Sequence, residues 1–133
     1  MTEMTQEALR QEVLSIIDQE ARAINTGDMN MYLAILADDA VFLPPGDPAQ
    51  TGAELRGWLS AFLEEFTVEG LRYDTQEAVV VGDLAYHWYA FTWTVTPKAG
   101  GEPTPEQGKG IHILRRGPDG CWKLAREIWN ATP

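Results

Sequence analysis

The chain changes its hydrophobic period once, near Val68, and that change dictates the order of its elements. Before it, apolar residues recur at helical spacing; after it, they fall in β-branched and aromatic runs divided by turn residues. Leu9, Val13, Ile16, Ile17 and Ile24 share one helical face, Thr5 can cap the start, and Asn25-Thr26-Gly27 supplies a left-handed stop. Asp28 can cap a short second helix carrying Met29, Tyr32, Leu33 and Leu36 on one side and ending near Asp38-Asp39. Ala40 to Leu43 reads as a short strand, broken by Pro44-Pro45-Gly46-Asp47-Pro48. Thr51-Gly52-Ala53-Glu54 has the form of a capping box, opening a third helix with Leu55, Trp58, Leu59, Phe62, Leu63 and Phe66 inward.

Four strands are expected in the second half: Leu71 to Val81, Leu84 to Thr96, Gly108 to Arg116 and Cys121 to Asn130. Gly82-Asp83 and Gly117-Pro118-Asp119-Gly120 are hairpin turns, so neighbouring strands pair antiparallel. Pro97 to Gln107, with three prolines and two glycines, is expected to be an exposed, mobile loop. Helices that precede a long antiparallel meander predict an α+β fold with the helices on one face of the sheet. At 133 residues with 44% apolar content, residues 1–133 suffice for a single domain with one core.

Charge excludes whole classes of partner. Ten Lys and Arg face 20 Asp and Glu, a formal net charge of −10, which repels phosphate backbones and anionic headgroups. Nucleic acid and membrane partners are therefore not expected. The lone Cys121 has no internal disulfide partner, no apolar run approaches the roughly 20 residues of a membrane span, and the first residues lack the pattern of a secretory leader. A cytoplasmic location is the expectation.

Glu20 is the most informative residue. In helical projection it falls at about 20°, inside the arc of roughly −20° to 80° occupied by Val13, Ile16, Ile17 and Ile24. Either it escapes to the rim or meets a cation such as Arg126, or it points into a cavity where desolvation raises its pKa for proton transfer. His87 alternates with Ala85, Tyr89, Phe91 and Trp93, and His112 with Gly110 and Leu114, so both lie on strand faces among apolar neighbours. Neither histidine has a second ligand type at metal-binding spacing, and no phosphate loop or nucleophile elbow is present, so neither metal nor cofactor is expected.

Several local strings, in this order, resemble a known superfamily. Asn25-Thr26-Gly27-Asp28, Leu36-Ala37-Asp38-Asp39-Ala40-Val41, the Pro-Gly segment, Gly52 with its helix, and Gly120-Cys121-Trp122-Lys123-Leu124 ending in Ile128-Trp129-Asn130 resemble the SnoaL-like and ketosteroid-isomerase-like branch of the nuclear transport factor two-like fold. The resemblance covers residues 7 to 131. It implies a cone-shaped domain, with a strongly curved antiparallel sheet wrapping the first helix and enclosing a pocket, and a homodimer through the convex sheet face.

The steroid isomerase uses an Asp base on the short strand and an oxyanion hole of a Tyr and a protonated Asp. The resemblance puts Leu43 at the base, Glu20 at the tyrosine and His112 at the aspartate. Steroid isomerisation itself is thus argued against, while an acid/base pair of Glu20 and His112 is retained. It would act by isomerisation, cyclisation or dehydration on a small apolar carbonyl or cyclic molecule, held by Leu43, Trp58, His87, Tyr89, Phe91, Arg126 and Trp129. The alternative is a non-catalytic ligand-binding or dimerisation module. Trp129 matches a pocket-wall tryptophan in the family, yet simple alternation sets it opposite Trp122, Leu124 and Ile128; a β-bulge between Leu124 and Trp129 would reconcile the two. Tyr86, Trp88, Thr92 and Thr94 form the outer face of their strand and are the expected dimer surface.

Overall fold

A computed structural model describes residues 5–133; Met1 to Met4, where the segment inspected for a leader begins, lie outside the described residues. Helix α1 (Gln6–Thr26) starts where the Thr5 hydroxyl accepts the Ala8 amide at 3.1 Å and stops at Gly27, whose φ of 68° only glycine adopts without strain. Asp28 caps α2 (Met29–Ile35) through a 3.0 Å bond from the Met31 amide. Helix α3 (Gly52–Glu65) follows Thr51, whose side chain makes no cap bond, so the expected capping box does not form. No helix among the described residues is long and apolar enough to cross a membrane.

The six strands are β1 (Leu36–Leu43), β2 (Gln50–Thr51), β3 (Phe66–Val81), β4 (Leu84–Pro97), β5 (Thr104–Arg116) and β6 (Trp122–Thr132), in the order β2-β1-β6-β5-β4-β3. All neighbours are antiparallel except β1 and β6, which run parallel, so the sheet is mixed and open. The fold is α+β and cone-like, as expected, with three corrections. Helix α2 ends at Ile35, because Leu36 already pairs with Leu124 and the extended chain through Asp38-Asp39 belongs to β1. Thr104 to Gln107 is strand, not loop; Thr104, Pro105 and Glu106 pair only with β4, leaving the other edge open where a proline is tolerated. The parallel β1–β6 pairing had no local turn to announce it.

Bulges bend this sheet. In β3, register shifts occur between Glu69 and Arg72, at Gly70 with φ 65°, and between Thr75 and Glu77. The Asn25 amide clasps the first bend, donating to the Leu71 carbonyl at 3.1 Å and accepting its N–H at 2.8 Å, which fixes the end of α1 against β3. In β6, Ile113 pairs with Arg126 and Leu114 with Leu124, so Ala125 is an extra residue. Alternation changes phase there: Trp122 and Leu124 face the core before the bulge, Glu127 after it, and Ile128 is exposed. The core lies between α1 and this curved face, with Val13, Ile17, Ile24, Leu114 and Leu124 all buried. Each such large aliphatic side chain contributes about 1.5–3 kcal/mol on transfer from water.

Candidate active site

The cone encloses a cavity of about 400 Å³, lined by residues of all three helices, the Pro-Gly segment, and strands β1, β3, β4, β5 and β6. Ten of its 22 lining residues are aromatic. At its floor three titratable groups meet. Nε2 of His112 lies 2.8 Å from Oε1 of Glu20 and 2.5 Å from Oε2 of Glu127, and all three side chains are buried.

Three tyrosines complete the cluster. Tyr32 donates to Oε2 of Glu20 at 2.8 Å, Tyr73 donates to its Oε1, and Tyr89 donates to Oε2 of Glu127 at 3.0 Å. Tyr89 reaches that far because it pairs across the sheet with Gly110, and a Cβ there would lie 2.5 Å from the tyrosine hydroxyl and 2.6 Å from the Ile128 carbonyl. On the other side of the imidazole, Nδ1 of His112 stands 3.0 Å from Nδ1 of His87, whose Nε2 stands 2.8 Å from the Thr75 hydroxyl. One proton assignment satisfies the row: His112 carries both protons and donates from both nitrogens, and neutral His87 accepts at Nδ1 and donates from Nε2 to Thr75.

The electrostatics agree with that assignment. Burial alone would lower the pKa of His112, but the Glu127 and Glu20 carboxylates outweigh it and raise it to about 10. Burial, with the charge of His112 beside it, pushes His87 down to about 3. Burial would likewise raise Glu20, but the imidazolium and the bonds to its oxygens hold it well below the ordinary carboxylate range. Glu127 moves up to about 7, driven by burial and then by the neighbouring charge of Glu20. The expected upward shift of a cavity carboxyl therefore falls on Glu127, and Glu20 shifts the other way.

Trp58, Tyr89, Phe91 and Trp129 line the cavity, and Glu20 and His112 lie directly beneath it. Leu43, His87 and Arg126 stand outside the lining. Phe42 is the inward residue of β1 and Leu43, 39% exposed, turns outward. His87 sits behind the wall, its ring stacked on Tyr89 at 5.3 Å. Arg126 faces away from Glu20 and donates to the Asp39 carbonyl at 2.9 Å. Glu127 was not a candidate from sequence, because uninterrupted alternation turns it outward and Arg126 inward; the extra residue Ala125 reverses both. That bulge also brings Trp129 to the cavity.

Glu20, His112 and Glu127 are also the one group among the described residues whose donor atoms converge as metal ligands would, within 4.8 Å of one another. Their 2.5 and 2.8 Å spacings are those of hydrogen bonds sharing a proton. A divalent ion about 2.0–2.1 Å from each donor would have to spread them and take the Nε2 proton. The arrangement fits proton exchange better than metal ligation.

The fold is shared with solved structures. A conserved protein from Planctomyces limnophilus superposes with TM-score 0.86 at 24% identity, covering 95% of this chain and 99% of its own. A ketosteroid isomerase-like protein from Erwinia carotovora atroseptica gives 0.84 at 28% identity, with 93% and 97% covered. A nuclear transport factor 2-like superfamily protein from Salmonella enterica gives 0.84 at 13% identity, with 97% and 94% covered. All three share the cone-like fold of this chain. The SnoaL-like domain profile matches residues 17–126, and the chain belongs to that family. No functionally curated protein matches the sequence.

Proposed function

We propose that this chain is a cytoplasmic, homodimeric acid/base catalyst that moves a proton on a small apolar carbonyl or cyclic molecule, in an isomerisation, cyclisation or dehydration. The observation that carries this reading is the Glu20–His112–Glu127 cluster under the aromatic cavity. Glu127 is the only one of the three that lines the cavity, and its carboxyl is poised near neutrality. Both of its described donors converge on Oε2, and the carboxyl also stands within hydrogen-bond reach of Glu20. As a carboxylate it takes a proton from carbon next to a carbonyl; protonated, it returns one to carbon or to a departing hydroxyl. The imidazolium beneath favours the ionised form during the first half of that exchange. Glu20 keeps His112 charged and makes no contact with substrate.

A second copy of the chain is the proposed partner of the convex face. Leu43, Ile128, Ile111 and Trp88 lie in one row across β1, β6, β5 and β4, each between 39% and 49% exposed, and Tyr86 adjoins them. A self-complementary row of this kind suits a two-fold contact.

Hydrogen–deuterium exchange at the α-carbons of hydrophobic ketones and lactones, followed by NMR in heavy water, tests the reaction. Exchange above the buffer rate that falls about 100-fold or more in Glu127→Gln and in His112→Ala supports the assignment. Binding of the same compounds, seen by tryptophan fluorescence, without accelerated exchange would make the domain a ligand-binding module.

A further inference from the structure

The cavity's charge is one-sided. Asp47, Glu65 and Glu106 are exposed residues that also line it, Glu127 lies at its floor, and among the described residues no lysine, arginine or histidine contributes to the lining. Over the full sequence ten basic residues accompany 20 acidic ones, so the lining carries the chain's acidic excess with no basic residue to offset it. Two lysines bond to residues next to or within the lining, but each is committed to a neutral oxygen: Lys98 to the Leu63 carbonyl at 2.8 Å and Lys109 to the Asn130 side chain at 3.1 Å.

The walls near these carboxylates are aromatic. Phe62 stacks between Trp58 and Trp93, with centroids 6.2 and 5.8 Å away and interplanar angles of 11° and 20°. The Trp93 indole N–H donates to Oε1 of Glu106 at 3.2 Å, which holds one carboxylate at the edge of the indole ring. Glu65 lies one helical turn beyond Phe62 on α3 and so projects from the same side.

We propose that the cavity takes a cyclic molecule bearing one basic nitrogen, its ammonium drawn to the carboxylates of Asp47, Glu65 and Glu106 in the lining and to a ring face of the aromatic wall. The hydrocarbon part fills the aromatic walls and an oxygen function faces Glu127; this rests on the ligand-cavity reading above. Carboxylates without basic counterparts at a low-dielectric mouth focus a negative potential on an entering cation, and electron-rich ring faces add cation–π attraction. An anion of the same shape meets four carboxylates and no cationic side chain. A neutral molecule gains the walls alone.

A matched set tests this: 2-naphthylmethylamine, 2-naphthylmethanol and 2-naphthoate, titrated by tryptophan fluorescence and by saturation-transfer NMR at pH 7, at low and high salt. The amine is expected to bind about tenfold more tightly than the alcohol, and the carboxylate more weakly than either. The amine's advantage should shrink in Glu65→Gln/Glu106→Gln, whose amides still offer Trp93 an acceptor, and persist in Asp18→Asn, which removes an exposed carboxylate of α1 outside the lining. Equal binding of amine and alcohol overturns the cation assignment and leaves the cavity reading standing. An advantage lost equally in Asp18→Asn assigns it to overall charge and overturns the proposal too. No binding of any of the three overturns both the proposal and the cavity reading.

Discussion

The carboxylates of Glu20 and Glu127 meet on one nitrogen of His112, yet they are not equivalent. Glu20 accepts from Tyr32, Tyr73 and His112, using both oxygens, at a site with no solvent exposure. Glu127 accepts from Tyr89 and His112 through one oxygen and borders the cavity. One side chain anchors the charge and the other faces what enters.

That asymmetry predicts unequal stability effects for two isosteric changes. Glu20→Gln leaves the buried imidazolium with Glu127 as its one carboxylate and turns an amide N–H toward a tyrosine donor, so it should cost about 2–3 kcal/mol. Glu127→Gln removes the repulsion between the two carboxylates and should cost no more than about 1 kcal/mol. Urea melts at pH 7 measure both; equal losses would mean that the two carboxylates share the imidazolium evenly.

Stability should fall toward alkaline pH. His112 titrates near 10 in the folded chain against an ordinary 6.5, so its contribution is complete below 6.5 and is lost as pH rises through 10. Glu127, raised from 4.5 to about 7, adds a loss in the same direction that begins above 4.5. Melts at pH 7 and 9.5 should differ by about 2–4 kcal/mol, and the ¹⁵N shifts of His112 should remain those of an imidazolium at pH 8. A neutral imidazole at pH 8 would contradict the ion pair.

Toward acid the signs reverse for the other two groups. His87 is held neutral with a pKa near 3, so its contribution is present above 6.5 and is lost as pH falls through 3, and Glu20 adds a loss below 4.5. Between pH 6.5 and 4.5 the His87 loss runs against the gain from Glu127, so the wild-type curve should be nearly level there, and in His87→Gln stability should rise toward pH 4.5, which a pH series of thermal melts would detect.

Gly110→Ala should cost about 2–4 kcal/mol, because its Cβ would press on the Tyr89 hydroxyl and on the Ile128 carbonyl, and backbone cannot yield as a side-chain tip can. In a Tyr89→Phe background one of three close contacts is gone, leaving the Ile128 carbonyl and the Trp129 Cβ at 2.8 Å, and the cost should shrink. An undiminished cost would assign the strain to those two.

Placing a charge in the outward row should separate the subunits. Ile111→Asp sits between Trp88 and Ile128 on the convex face, away from the cavity lining, and light scattering at micromolar concentration should change from twice the chain mass to one. Wild-type protein that already scatters as a single chain would remove the dimer.

The helical half of the molecule was legible because caps and periodicity are local: Thr5, Gly27 and Asp28 mark boundaries within their own turns, and the 3.6-residue period puts Glu20 on the apolar face of α1. His87 and His112 could be placed by alternation because β4 and β5 pair without interruption around them. Glu127, Leu43 and Arg126 could not. Strand phase carries no memory across an extra residue, and nothing in Leu124-Ala125-Arg126 marks a bulge as glycine marks the one at position 70. The parallel partnership of β1 and β6 was hidden for a related reason, since it joins segments about 85 residues apart with no shared turn.

Ala125 gives the domain an unusual kind of mutability. Losing that one codon, with every other residue kept, would remove the bulge and still leave Arg126 outward and Glu127 at the cavity floor, because Arg126 already pairs with Ile113 and Leu124 with Leu114. A deletion that would reverse the faces of a regular strand preserves them here, and relatives aligned column by column without a gap across this strand would show the floor carboxylate vanishing where it has only moved by one place.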